Sequence, residues 1–130
     1  MYKRQILFSV DTGHPFHNRA NKRQDIQKVM TALGIQYDVV KYHCNNAVNQ
    51  IFFNISDIDF NHLGAIKLVE QYQAVMYSID DDNSFIELDL DGNHYDVGRF
   101  VYDVPFVLCN VNDREWFVGD DGKFSMIERR

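Results

Sequence analysis

The chain has 130 residues, 45% of them hydrophobic and 14% aromatic, with a formal charge of −6. That length fits one domain with a core of its own, and the apolar content excludes a disordered chain. No apolar run approaches the roughly 20 residues of a membrane-spanning helix, and the acidic balance argues against broad, sequence-independent DNA binding.

The charge is unevenly spread. Residues 1–33 hold six Lys and Arg against Asp11 and Asp25, whereas residues 34–130 hold seven against seventeen carboxylates. Two surfaces of opposite character are therefore expected. The basic start, Met1 to Arg4, runs into an apolar stretch that Asp11 cuts short, and no small-residue cleavage site follows. A signal peptide is not expected from that pattern. Cys44 and Cys109 are too few for a disulfide framework and read as two reduced, buried thiols of a cytoplasmic protein.

In chain order, Ile6-Leu7-Phe8-Ser9-Val10 has the composition of a strand buried on both faces. Asp11-Thr12-Gly13-His14-Pro15 ends it. Ile26, Val29, Met30 and Leu33 then form one helical stripe, with Gly34 as its stop. A strand is predicted over residues 35–44, turn chemistry at Asn45-Asn46-Ala47, and a partner strand over residues 48–55 that completes a hairpin. Ser56, Asp57 and Asp59 offer N-caps to a second helix running to about Tyr72. Residues 73–79 form a fourth strand. Residues 85–90 form a fifth, in which Ile86, Leu88 and Leu90 alternate with Glu87 and Asp89, the mark of one wet face. Asp91-Gly92-Asn93 turns the chain back into residues 94–102, Pro105 interrupts, residues 106–111 read as a strand, and residues 116–126 as a hairpin about Asp120-Asp121-Gly122.

The first six elements run β-α-β-β-α-β. They predict an α+β, ferredoxin-like core with both helices on one face of its sheet, extended by C-terminal antiparallel β-hairpins, in a single domain over residues 1–130.

Four groups of residues carry candidate chemistry. Asp11-Thr12-Gly13 matches the first half of the aspartic protease signature. That fold is all β, a helix follows here, and Val97-Gly98-Arg99 matches the second half poorly, so Asp11 is read as capping its loop. His14 and His17 bracket Pro15-Phe16, but no second pair has metal-ligand spacing, and no metal is expected. Asn18, Arg19, Lys22 and Arg23 open the first helix where free backbone N–H groups favour anions, and Thr12 lies close in sequence. These five residues are the expected site for a phosphate-bearing ligand. The set Asp80, Asp81, Asp82, Glu87, Asp89 and Asp91 is the expected acidic, partner-facing surface. Asp80, Asp82 and Ser84 begin like a calcium loop, but Phe85 stands where that loop needs glycine.

Two resemblances bear on function. The strand ending at Asp11, Asn21-Lys22-Arg23, Leu33-Gly34 and Gln36-Tyr37-Asp38-Val39-Val40 resemble the ferredoxin-like nucleases of CRISPR adaptation and the related VapD toxins, over roughly the first 80 residues. This implies a metal held by Asp11 at a dimer interface, with Arg23 among the basic residues that open the helix. Phe52-Phe53-Asn54-Ile55, the run from Val69 to Tyr77, the Asp91-Gly92 turn and Gly98-Arg99-Phe100 resemble small phage-encoded accessory proteins of uncharacterised role. That resemblance reaches about residue 104. It implies a non-catalytic product that binds a host protein or nucleoprotein complex in the host cytoplasm, such as a CRISPR-type defence complex, and inhibits it. The expectation is thus a cofactor-free binding protein with no membrane partner, and a homodimer is a third reading through exposed strand edges. The alternative is a metal-dependent ribonuclease or nucleotide-binding enzyme. In it Asp11 binds metal or acts as base, His14 or His17 moves protons, and Arg19 and Arg23 hold phosphate.

Overall fold

The structure, a computed structural model, describes residues 4–11, 19–44, 50–63, 74–89, 93–109 and 115–129. Among these residues the strands are β1 (Gln5–Ser9), β2 (Asp38–His43), β3 (Gln50–Ser56), β4 (Val75–Ile79), β5 (Ser84–Leu88), β6 (His94–Val101), β7 (Glu115–Gly119) and β8 (Phe124–Arg129). The helices are α1 (Arg19–Ala32), α2 (Asp57–Leu63) and α3 (Phe106–Cys109). All strand pairs are antiparallel, and the sheet closes in the order β1-β3-β2-β7-β8-β6-β5-β4 and back to β1.

The protein is therefore mostly β, a closed eight-stranded antiparallel barrel, and the ferredoxin-like α+β expectation is wrong. An open sheet of that kind leaves its outer strands unpaired. Here β2 pairs with β7, β4 with β5 and β6 with β8, so closure gives every strand a partner on both sides. The C-terminal hairpins do not extend a finished layer. They are the other half of the wall.

Closure gives each strand an inner and an outer face, and two apolar cores follow. Inside lie Leu7, Phe52, Ile79, Phe85, Phe100, Phe117 and Ile127. Outside, Ile6, Phe8, Phe53, Ile55 and Met76 are covered by Ile26 and Met30 of α1 and by Phe60 of α2. β1 thus feeds both cores, which is why it is apolar at consecutive positions. In α1 the buried stripe is narrower than its spacing predicts, because Val29 and Leu33 are 36% and 42% exposed. Gly34 ends the helix at φ 72°, and the Ile35 amide closes on the Met30 carbonyl at 2.9 Å. Ser56 accepts a hydrogen bond from the Asp59 amide at 3.1 Å and so caps α2. The predicted extension of that helix beyond residue 63 lies outside the described residues.

Two further expectations are corrected. Residues 106–109 form a helical turn, not a strand: a short apolar run fits either, and the chain leaves the sheet at Pro105. The alternation in β5 is real, but its wet face looks into the barrel. Phe85 is fully buried inside, Glu87 follows on the same side, and Ile86 and Leu88 face outward.

Candidate functional site

Among the described residues, the ring Phe52, Phe85, Phe100 and Phe117 fills the middle of the barrel and leaves a cup toward each end. An eight-stranded barrel is just wide enough for such a plug, which leaves a cup at each mouth. One cup, of about 510 Å³, is rimmed by Asp38, Asn54, Tyr102, Asp103 and the Asp120–Lys123 turn. Its carboxylates are exposed, Asp38 at the start of β2 and the others at turns, and Asp121 caps the Lys123 amide at 3.0 Å.

The opposite cup, of about 470 Å³, carries a partly buried charge network and is the candidate site. Tyr42 sits on β2, Glu115 on β7 and Arg129 on β8, and the register places all three on the inner face. The Tyr42 hydroxyl donates to Glu115 Oε1 at 2.5 Å. Arg129 Nη2 donates to the same oxygen at 2.9 Å, and Arg129 Nε donates to Oε2, a two-pronged pair. Burial alone pushes the Glu115 carboxyl up, but the hydrogen bonds from Arg129 and Tyr42 and the charge of Arg129 outweigh it, leaving the group below its ordinary value. Burial, then the hydrogen bond to Glu115, pushes the Tyr42 phenol well above its own. At neutral pH the triad is one anion, one cation and one neutral phenol.

The walls are aromatic. Tyr77 stacks on Phe85 with centroids 4.6 Å apart, and Tyr42 packs on Phe52 and Phe117 at 5.5 and 5.2 Å. Glu87 lies opposite Tyr77 in the β4–β5 ladder and also faces the cup. Burial and then the charge of Glu87 hold the Tyr77 phenol above its usual value. The free thiol of Cys44 is half-buried at the rim, while the Cys109 side chain lies outside the described residues.

The residues singled out from sequence are distributed differently. Asp11 is fully buried. Its Oδ1 accepts from Arg23 Nε at 2.8 Å, and its Oδ2 accepts from Arg23 Nη2 at 2.6 Å and from the Ile51 amide at 2.8 Å. Asp11 therefore locks α1 to the start of β3. Arg23, expected to hold an anion, is committed to Asp11, while Arg19 and Lys22 occupy the first turn of α1. Thr12, His14, His17 and Asn18 lie outside the described residues, as does Asp91.

The described members of the acidic set lie at the two ends of β5 and in the mouth. Asp80, Asp81 and Asp82 sit at the β4–β5 turn, where Asp80 meets Arg4 at 3.4 Å and Asp82 caps the Ser84 amide at 3.0 Å. Asp89, at the far end of β5, accepts from the Asn93 amide at 2.8 Å and from the Tyr95 hydroxyl at 3.1 Å. The length of β5, roughly 15 Å, separates the two groups, and Glu87 points into the mouth. Among the described residues, no group of three or more His, Cys, Asp or Glu is placed to hold a metal ion, and no helix is long and apolar enough to cross a membrane.

Sequence reasoning missed Glu115 and Arg129. No local pattern joins them; they meet through the β7–β8 register, which pairs Glu115 with Ile127 and leaves Arg129 two residues further along the same face. Tyr42 had a signal, since a strand in which neither face is cleanly polar is one that packs on both.

No protein-family model matches the chain, and no curated protein is similar to it at a significant level.

Proposed function

We propose that the protein is a non-enzymatic binding protein that holds a small molecule in the barrel mouth built on Tyr42, Glu115 and Arg129. The observation that carries this reading is the cup itself: about 470 Å³, aromatic walls, and a few polar groups already fixed by one another. Ligand sites are concave, mostly apolar and set with a small number of placed polar groups, and barrel mouths are a common place for them. The enzymatic alternative has less support. Both carboxylate oxygens of Asp11 are occupied by Arg23 and the Ile51 amide, so its lone pairs already serve the fold.

Sealing the mouth tests the reading. Val75 and Gln50 line it, and a tryptophan at either position fills much of the cup. The neutral, fluorescent probe naphthylethanol is expected to bind the wild type and to lose most of its affinity for Val75→Trp and Gln50→Trp, each checked for folding by circular dichroism. Equal binding to all three proteins, or none to the wild type, would contradict it.

A second reading, docking on a host protein in the cytoplasm so as to inhibit or modulate it, is favoured by one surface feature. Phe106, Val107 and Leu108 of α3 are 51%, 71% and 47% exposed. Large apolar side chains grouped on a surface mark interaction sites. Val107→Asp is expected to abolish retention of any partner that the tagged wild type captures at physiological salt. A partner retained equally by the variant, or no partner at all, counts against this reading.

A further inference from the structure

We propose that the mouth selects organic cations: amphipathic amines whose aromatic body enters the barrel and whose ammonium group meets Glu87. The inference rests on the small-molecule reading of the mouth and adds the ligand's chemical class.

Charge in the cup is the first argument. Among the described residues, three formally charged side chains line it, Glu87, Glu115 and Arg129. Glu115 and Arg129 neutralise each other through two parallel hydrogen bonds, which occupy Arg129 Nε and one N–H of Nη2. The guanidinium is therefore engaged before any ligand arrives, which weakens it as an anchor for an anion. Glu87 forms no ion pair among the described residues. Among the described residues, one negative charge of the cup, that of Glu87, is left unbalanced.

Ring placement is the second. Tyr77 pairs directly across the ladder from Glu87, stacks on Phe85, and lies 6.2 Å from the ring of Phe52, which in turn packs on Tyr42. An ammonium held by Glu87 lies beside the Tyr77 ring, whose negative face attracts cations. The body of the same molecule then meets the aromatic wall below. Carboxylate above and aromatic wall below specify a ligand with a positive head and a flat apolar tail. An anionic ligand meets the opposite situation, since it must approach Glu87 and compete with Glu115 for Arg129.

Three near-isosteric probes separate the possibilities: naphthylethylamine, naphthylethanol and naphthylacetate. By calorimetry at neutral pH and low salt, the amine is expected to bind the wild type about tenfold more tightly than the alcohol, and the acetate more weakly than either. Glu87→Gln is expected to bring the amine down to the level of the alcohol. Glu87 is exposed and forms no ion pair among the described residues, so this substitution leaves the fold intact, which thermal unfolding verifies. Equal affinities of amine and alcohol for the wild type would overturn the inference, as would an amine preference that survives Glu87→Gln. If those results came with binding that Val75→Trp and Gln50→Trp abolish, the mouth would remain a binding site of different selectivity. If sealing changed nothing, the reading beneath the inference would fail with it.

Discussion

Replacing Asp11 by alanine is expected to destabilise the fold by about 3–5 kcal/mol, the cost of breaking a buried ion pair from one side. The carboxylate is wholly inaccessible and accepts three hydrogen bonds, two from Arg23 and one from the Ile51 amide. Its removal leaves the Arg23 guanidinium, only 23% exposed, beside an empty site and takes the side-chain acceptor from the Ile51 amide. The consequence reaches beyond the pair. Asp11 adds a polar tie between α1 and the barrel to the apolar packing of Ile26 and Met30, which covers Ile6, Phe8 and Met76 on the outer face. Replacing Arg23 with leucine is expected to be comparably harmful, because Asp11 then keeps its charge with the Ile51 amide alone. Denaturant unfolding followed by Trp116 fluorescence measures both. A loss below about 1 kcal/mol in each variant, the range of an exposed ion pair, would contradict the lock.

The second large effect is expected at Gly98, where alanine should cost about 3 kcal/mol or more, from steric overlap and backbone strain together. Gly98 has φ 154°, a conformation that side chains disfavour. A Cβ built there would fall inside the radius of the Glu128 carbonyl oxygen and 2.9 Å from the Arg129 Cα. Both contacts are backbone, so neither can rotate aside. They belong to β8, and Gly98 pairs with Arg129 across the seam that joins β6 to β8. The substitution therefore pushes apart two strands whose contact closes the barrel, and it displaces the residue that carries the mouth's guanidinium. The expected signature is a lower unfolding midpoint together with faster amide exchange along Phe100, Val101, Met126 and Ile127. A stability loss under about 1 kcal/mol, with exchange unchanged along that seam, would show that the two strands are not in contact there.

These two residues also mark how far the sequence could be read. Asp11 stood out at the end of an apolar run, and its place at a strand end was legible. Its partner was not, because Arg23 comes back to it through a helical turn and Ile51 from forty residues away. The same division holds for the fold. β1, α1, the Gly34 stop and the turn at Asp120-Asp121-Gly122 follow from local chemistry and are present. Closure depends on β2–β7 and β6–β8 pairs between distant segments, which leave no local trace. The wet face of β5 was visible, but alternation says only that one side is polar. It does not say whether that side meets bulk solvent or the lumen of a barrel. Taking it for an outer surface grouped Glu87 with Asp89 as partner-facing charge and concealed that Glu87 belongs with Tyr77 and Glu115.

The most direct measurement of the account is an amide chemical-shift titration of the labelled protein with naphthylethylamine. Saturable shifts are predicted at Tyr42, Tyr77, Glu87, Glu115 and Arg129, with the Asp120–Lys123 turn at the opposite mouth undisturbed. Shifts centred on that turn, or scattered over the surface without saturation, would contradict a binding site in the Glu115 mouth.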